Sequence, residues 1–356
     1  MADPEQPVVE WLACDLVSGQ VIADLTPCLA TDGPLSRRIG TETTVEATVD
    51  LSGAPANWEA ATEKGRAMLV ALADTVPVWA GIVQRRVGGS DTTVRLSLVT
   101  AEGYLERRFV SEHDMDGQDT GLIAAAVLAD ADGTCLVIDS PATGATVEEF
   151  YTDPDADKTV LAVLQELSDA GGPEFTIDPA WNGDRIALVA RVRPRLGAAS
   201  AAVFTFPGDV TGYELTESYE DGMGATDVVA YGEGEGADRW ASEPQVATAL
   251  LAAGWPRYEH RYTPAQGIDD DAQLNAAAAG ELAAIQTGTS LWAFASRASV
   301  GPRLGAEWGL GDTVTVQVIS SPRHPSGVEF AGRVVAWEWD PRGDTVTPVL
   351  MGRADA

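Results

Sequence analysis

Val78-Trp79-Ala80-Gly81-Ile82-Val83-Gln84-Arg85-Arg86-Val87 leads through a Gly-Gly-Ser-Asp turn into Thr92-Thr93-Val94-Arg95-Leu96-Ser97-Leu98-Val99. The grammar returns near the C-terminus as Glu329-Phe330-Ala331-Gly332-Arg333-Val334-Val335-Ala336-Trp337-Glu338-Trp339, an Asp-Pro-Arg-Gly turn, and Asp344-Thr345-Val346-Thr347-Pro348-Val349-Leu350-Met351. Each copy enters a β-branched strand through an aromatic-Ala-Gly step and leaves it through a polar turn into a second alternating strand. Each also has a strand upstream, Met68 to Ala73 in the first and Thr313 to Ile319 in the second. Period-two alternation punctuated by Gly, Asp and Pro is the pattern of antiparallel hairpins. A glycine inside a strand marks a bulge or a close backbone approach. Two unrelated hairpins would share the alternation alone. The other reading is a duplicated β-barrel, one copy at each end of the chain, with Gly81 and Gly332 at equivalent positions.

Outward from the first copy, Val8 to Leu16 and Gln20 to Thr26 read as a hairpin through Ser18-Gly19, and Ser36 to Leu51 as one long alternating strand. About six antiparallel strands without a long helix suit a small closed barrel over 1–106. The pattern then changes over 107–199. Leu122, Ile123, Ala126 and Val127 recur at helical spacing, and Val160, Leu161, Val163, Leu164 and Leu167 form a second stripe that Asp157 or Thr159 can cap. Thr134 to Ile138 reads as a short buried strand and Phe175 to Val192 as a hairpin across Asn182-Gly183, so this block is a separate α/β domain.

Strands return at Ala201 to Phe206, Tyr213 to Tyr219 and Thr226 to Tyr231. The segment from Gly301 supplies only about four strands, too few to close a barrel of roughly eight. The second barrel is therefore assigned 200–231 plus 299–356, with 232–298 as an inserted α+β domain. The insert carries a helix from Pro244 to Ala252, an Ala-rich helix whose start at Asp269-Asp270-Asp271 complements its dipole, and a strand from Leu291 to Ala295. The expected fold is a β-rich α+β multidomain one, with two related antiparallel β-barrels plus two smaller α/β domains.

Composition narrows the function. In 356 residues, 54 Asp+Glu against 23 Lys+Arg give a formal net charge of −31. Such a surface repels nucleic acid and anionic membranes at long range. Cys14, Cys28 and Cys135 are too few and too dispersed for a zinc site or a disulfide framework, although Cys14 and Cys28 fall in consecutive predicted strands. The N-terminus has neither a basic region nor an apolar one of signal-peptide type, and no stretch approaches the length of a membrane span. The expectation is synthesis in the cytoplasm without a signal peptide and no membrane segment.

The survey for chemistry is negative. Gly232-Glu233-Gly234-Glu235-Gly236-Ala237 nearly fits a phosphate-binding glycine loop, but two glutamates occupy its variable positions. Asp153 to Asp157 starts like a calcium loop, yet Lys158 stands where glycine is needed and Leu164 where a bidentate glutamate is needed. His113, His260 and His324 lack metal-ligand spacing. His113-Asp114 has no serine elbow to complete a triad, and Glu148-Glu149 does not stand out in so acidic a chain. Of the ten tryptophans, Trp11, Trp79, Trp337 and Trp339 fall in predicted strands, where packing is the default. No enzyme activity, cofactor or metal is expected.

Trp11 to Leu25, Val78-Trp79-Ala80-Gly81-Ile82-Val83-Gln84-Arg85-Arg86, Glu102 to Val110, Val228 to Gly236, and the ending from Trp308 to Asp340 together resemble the minor tail proteins of actinobacteriophage siphophages, in the tail-hub or baseplate-hub family. The resemblance spans most of the chain through loose strand patterns. It implies a homotrimeric ring at the virion tail tip that joins the sixfold tail tube and distal tail protein to a threefold tip and lets DNA pass without specific nucleic-acid binding. The tape-measure protein and other tail-tip proteins are the further implied partners. Many relatives carry a C-terminal fibre or hydrolase extension. None follows the last predicted strand here, so receptor binding and cell-wall cleavage are not expected of this polypeptide.

Within such a ring the basic residues should concentrate at subunit interfaces. Arg85, Arg86, Arg107, Arg108, Arg191, Arg193 and Arg195 cluster in or beside predicted strands and are the assembly-interface candidates, the competing reading being solvated charges that protect strand edges. The alternative function is a carbohydrate-binding or glycoside-processing β-protein, which a Trp-lined groove bearing two carboxylates would favour.

Overall fold

The computed structural model describes residues 9–220, 222–232, 239–263 and 270–352. The first eight strands are β1 (Val9–Asp15), β2 (Val21–Asp24), β3 (Leu29–Thr31), β4 (Leu35–Arg38), β5 (Thr44–Asp50), β6 (Ala67–Ala73), β7 (Val76–Val87) and β8 (Thr93–Thr100), with a one-turn helix α1 (Trp58–Ala61) before β6. Seven of them form a sheet in the order β2-β1-β6-β7-β8-β5-β3. All its ladders are antiparallel. Its centre is β6, whose residues from Ala67 to Leu72 are all buried. In β7 the buried run from Val78 to Val83 gives way to exposed Gln84 and Arg85, at the point where pairing to β8 skips a residue between Val83 and Arg85. That extra residue is a bulge, which lets the strand leave the core.

The long strand expected over 36–51 is two strands. The break comes at Gly40, whose φ of +67° lies in the left-handed region open mainly to glycine. Beyond it, β4 leaves the first sheet's path and pairs with a C-terminal strand described below.

Helix α2 (Glu102–Leu105) leads into the middle block: β9 (His113–Asp114), α3 (Thr120–Ala129), β10 (Leu136–Asp139), β11 (Tyr151–Thr152), α4 (Val160–Asp169), β12 (Glu174–Asn182) and β13 (Arg185–Arg193). The α3 cap is Asp119, which accepts from the Gly121 amide at 2.8 Å. The α4 cap is Thr159, which accepts from the Ala162 amide. These helices cover the sheet β10-β13-β12. The sequence suggests a separate unit here, but the apolar core is continuous, running from Cys14, Met68 and Ile82 of the first sheet to Ile123, Leu164 and Ile186.

The remaining elements are β14 (Ala199–Phe206), β15 (Val210–Ser218), β16 (Asp227–Ala230), β17 (Gln245–Val246), α5 (Thr248–Ala252), β18 (Glu259–Tyr262), α6 (Asp271–Ile285), β19 (Thr289–Arg297), β20 (Thr313–Val318), β21 (Val328–Asp340) and β22 (Thr345–Gly352). The second seven-stranded sheet runs β14-β20-β21-β22-β19-β15, with β4 also pairing with β21. In that added ladder Leu35 lies opposite Trp339 and Arg38 opposite Ala336.

Two assignments change. The strand near 226–231, placed in the second barrel from sequence, is β16, which pairs with β17 and β18. The strand near 291–295, placed in the insert, is β19 of the large sheet. A short β17 and α5 also replace the single helix expected from Pro244 to Ala252.

By compactness the chain divides into residues 1–213 with 293–350, and 214–292 with 351–356. In the second unit α6, capped by Asp270, packs Leu274 and Ala278 against Val228 and Ala230 of β16. Asp269 and residues 233–238 of the glycine-rich stretch lie outside the described residues.

Candidate functional site

The most elaborate polar arrangement lies where β4, α2 and β12 meet. Alternation along β4 turns Arg37 inward, to 3% exposure, beside a fully buried Glu102 at the start of α2. The Arg37 Nη2 donates to Glu102 Oε1 at 3.2 Å, Thr176 Oγ1 at 2.7 Å, the Ile177 carbonyl at 2.8 Å and Asp178 Oδ1 at 3.2 Å. Burial works against the guanidinium charge, but Glu102 and Asp178 outweigh it and hold its pKa above the ordinary arginine value. Glu102 Oε1 also accepts from the Ile177 amide at 3.1 Å, while its Oε2 is buried without a hydrogen bond.

A second buried arginine sits one residue past Gly332. Arg333 grips Glu174 of β12 through both terminal nitrogens, one of them at 2.8 Å from Oε1. It also donates to the Gly311 and Leu196 carbonyls at 3.2 Å each. Thus β12 receives Arg37 from the first group of strands and Arg333 from the second sheet. Two buried, multiply bonded charges define one register between these elements, which suits a rigid building block.

Neither arginine stood out in the sequence. The available signal was a charge at an inward position of an alternating strand, Arg37 between Leu35 and Ile39; Arg333, with exposed Ala331 and half-buried Val335 on its own face, carried no such signal. Apart from the Gly311 carbonyl, 22 residues from Arg333, their partners lie from 65 to 159 residues away along the chain, beyond any local pattern.

Five of the seven interface candidates are engaged within their own chain. Arg85 lies 3.6 Å from Glu46. Arg86 donates to the Glu59 carbonyl at 2.7 Å and stacks over Trp58. Arg108 bonds the Asp130 carbonyl and Asp132, Arg191 bonds Asp178, and Arg193 bonds Asp139. Arg107 and Arg195 are exposed.

The other candidates from sequence are dispersed. His113 Nε2 lies 2.8 Å from Asp130 Oδ2, and Ser111 Oγ donates to the same carboxylate at 2.8 Å. Serine and histidine thus both address the acid and not each other, which is no relay for activating a nucleophile. His324 Nδ1 is 2.8 Å from Tyr213 Oη in a chain of bonds with Ser321. His260 stacks on Tyr262 in the other compact unit. Glu148 and Glu149 are exposed, and Asp153 accepts from the Asp155 amide in a tight turn. Among the described residues no three His, Cys, Asp or Glu side chains gather as a metal set.

All three thiols are free. Burial and then the neighbouring Cys135 push the Cys14 pKa up to about 12. Trp11, Trp79, Trp337 and Trp339 are all buried, and Trp339 forms part of the wall of a small cavity with Ala73, Pro302 and Leu304. No helix among the described residues is long and apolar enough to cross a membrane.

No protein-family model and no curated relative matches the sequence. Solved structures do match, end to end. The 43 kDa tail protein of prophage MuSo2 from Shewanella oneidensis aligns with a TM-score of 0.64 at 13% identity, over 98% of this chain and 97% of its own. The fold is that of prophage tail proteins. The tail protein of Neisseria meningitidis MC58 aligns at a TM-score of 0.59 and 14% identity, over 97% of this chain and 96% of its own. Prophage tail protein gp18 of Listeria monocytogenes EGD-e gives 0.57 and 12%, over 98% and 95%. The chain thus has the β-rich multidomain fold of these tail proteins over its whole length.

Proposed function

We propose that this chain is a structural hub protein of a phage-type tail, acting through assembly and not through turnover. The observation that carries the reading is the end-to-end likeness to solved tail proteins, with 97% of this chain and 96% of the partner chain aligned even for the Neisseria protein. The finer reading is a homotrimeric ring at the tail tip. The repeated three-stranded piece supports it physically: two similar sheets per subunit give a threefold ring six similar positions, so it can meet a sixfold tube without an open mismatch. The distal tail protein and the tape-measure protein are the partners such a ring would meet. With a net charge of −31, acidic residues along its channel would keep passing DNA from adhering, because phosphate contacts dominate nucleic-acid affinity. Native mass measurement of the purified chain, together with images of the particle, tests this. Three copies in a closed ring are expected; a monomer at all concentrations, alone and with tail-tube protein, rejects the ring.

A further inference from the structure

In the compact unit 214–292, residues 252–259 form an unbroken exposed run, Ala-Ala-Gly-Trp-Pro-Arg-Tyr-Glu. Trp255 is 41% and Tyr258 47% exposed, and Met223 is exposed as well. Both rings lean on Tyr219, with centroids 5.3 Å and 5.2 Å from it. The Tyr219 ring fills space that only glycine leaves: a Cβ on Gly224 would fall 2.4 Å from it, and one on Gly288 3.1 Å. Its hydroxyl donates to the Gln286 carbonyl at 3.2 Å.

The exposed run is held rather than loose. The Trp255 amide donates to the Leu250 carbonyl at 3.0 Å, the Thr226 and Asp227 amides both donate to the Tyr258 carbonyl, and the Tyr258 amide donates to Thr226 Oγ1 at 2.8 Å. Arg257, between the two aromatics, is tied down by the fully buried Asp227 and by Glu259 at 3.3 Å. Large aromatic rings kept partly in water on a pinned backbone forgo part of the burial that such side chains ordinarily gain on folding. Trp and Tyr in such positions are the residue types that dominate binding energy at protein interfaces.

Charge selects the occupant. Residues 214–292 hold fourteen acidic residues against Arg239, Arg257 and Arg261. Arg257 and Arg261 are both already paired with Asp227 and Glu259, and Arg239 lies over the Tyr231 ring, 4.7 Å from its centroid. The net negative charge of the unit therefore favours a cationic occupant, which the aromatic faces also attract. The exposed rings are tilted 51° and 66° from Tyr219, so the three rings form stepped walls and not the flat platform on which a sugar chain would stack. We infer that Trp255, Tyr258 and Tyr219 form a docking surface for an arginine- or lysine-bearing peptide segment of another protein.

The test uses the full chain and a fluorescein-labelled twelve-residue Gly-Ser peptide carrying three arginines, with a glutamate version of the peptide and chitohexaose as the other probes. Wild type and the Trp255→Phe/Tyr258→Phe variant are expected to bind the arginine peptide. Trp255→Ala/Tyr258→Ala is expected to weaken it about tenfold or more, while Asp184→Asn, which removes one exposed carboxylate outside residues 214–292, leaves it unchanged. Trp255→Ala alone gives a second reading if the double variant does not fold. Equal binding by the Ala variants means adsorption to general charge and overturns the proposal. So does absence of binding to wild type, preference for the glutamate peptide, or displacement of the peptide by chitohexaose. Self-association that the Ala variants abolish would make the patch a contact between copies and likewise overturn it. These readouts need no ring assembly, so they stand or fall independently of the hub reading.

Discussion

The two seven-stranded sheets share one three-stranded piece and differ in almost everything around it. In the first, Gly81 of β7 lies opposite Leu69 of β6; in the second, Gly332 of β21 lies opposite Val314 of β20, in the same antiparallel sense. On the outer side of β6 runs β1, antiparallel. On the outer side of β20 runs β14, parallel. The second sheet also takes in β4 from the N-terminal part of the chain. A repeated local pattern thus carries a hairpin and its upstream strand, while the direction and identity of the next neighbour come from elsewhere in the chain.

The glycines show the same split. A Cβ at Gly81 would sit 2.1 Å from the ring of Trp79, two residues back on the same strand, whereas one at Gly332 would sit 2.8 Å from Leu350 across the sheet. The position is the same and the cause of the close approach is different.

The largest expected effect separates the two buried arginines. Arg37→Met leaves Glu102 charged and fully enclosed, and should cost about 3–5 kcal/mol. Arg333→Met leaves a partly exposed Glu174 that water can reach, and should cost about 1–3 kcal/mol. Urea unfolding of the purified variants measures both, and the reverse order would show that β21, not β4, carries the main tie to β12.

Next come the glycines. Trp79 is fully buried, so Gly81→Ala must displace a ring that has nowhere to go, at about 3 kcal/mol. Gly332→Ala meets a leucine side chain that can shift, and about 1 kcal/mol or less is expected because alanine also restricts the unfolded chain. Equal costs would mean that the two sites are packed alike and that the duplication extends to their cores.

Acid should loosen unit 1 around Asp15, Asp119 and Asp130. Asp15 is held below its ordinary pKa first by the Ser18 amide, and Asp119 first by the Thr143 amide. For Asp130, burial opposes, and the Ser111 amide with His113 more than offsets it. A depressed folded pKa gives stability that is fully present above the unfolded value, about 3.9 for aspartate, and lost as pH falls through the folded value. Hydrogen exchange between neutral pH and pH about 3 should therefore show β1 and α3, beside these carboxylates, losing protection as pH falls. Unchanged protection of both at pH about 3 would contradict it.

The smallest effect concerns Arg85, paired with Glu46 while more than half exposed. Arg85→Ala should change stability by about 0–1 kcal/mol. If its importance lies in assembly, the change will appear in the mass of the oligomer and not in the unfolding curve.

The residues by themselves determined the hairpins and the starts of two helices, one at Asp157 or Thr159 and one at the acidic run through Asp270, because alternation, turn residues and polar side chains at helix starts act over a few positions. Gly332, at the end of the aromatic-Ala-Gly step, was legible for the same reason. Only the tertiary structure decided that β4 leaves its neighbour β5 to pair with β21, that β16 and β19 exchange their expected sheets, and that β14 runs parallel. It also decided that Arg37 and Arg333 converge on β12 from 139 or more residues away. A strand offers two hydrogen-bonding edges and a buried charge needs only some opposite charge, so neither names its partner locally. That choice is made when the sheets pack and each buried donor must find an acceptor.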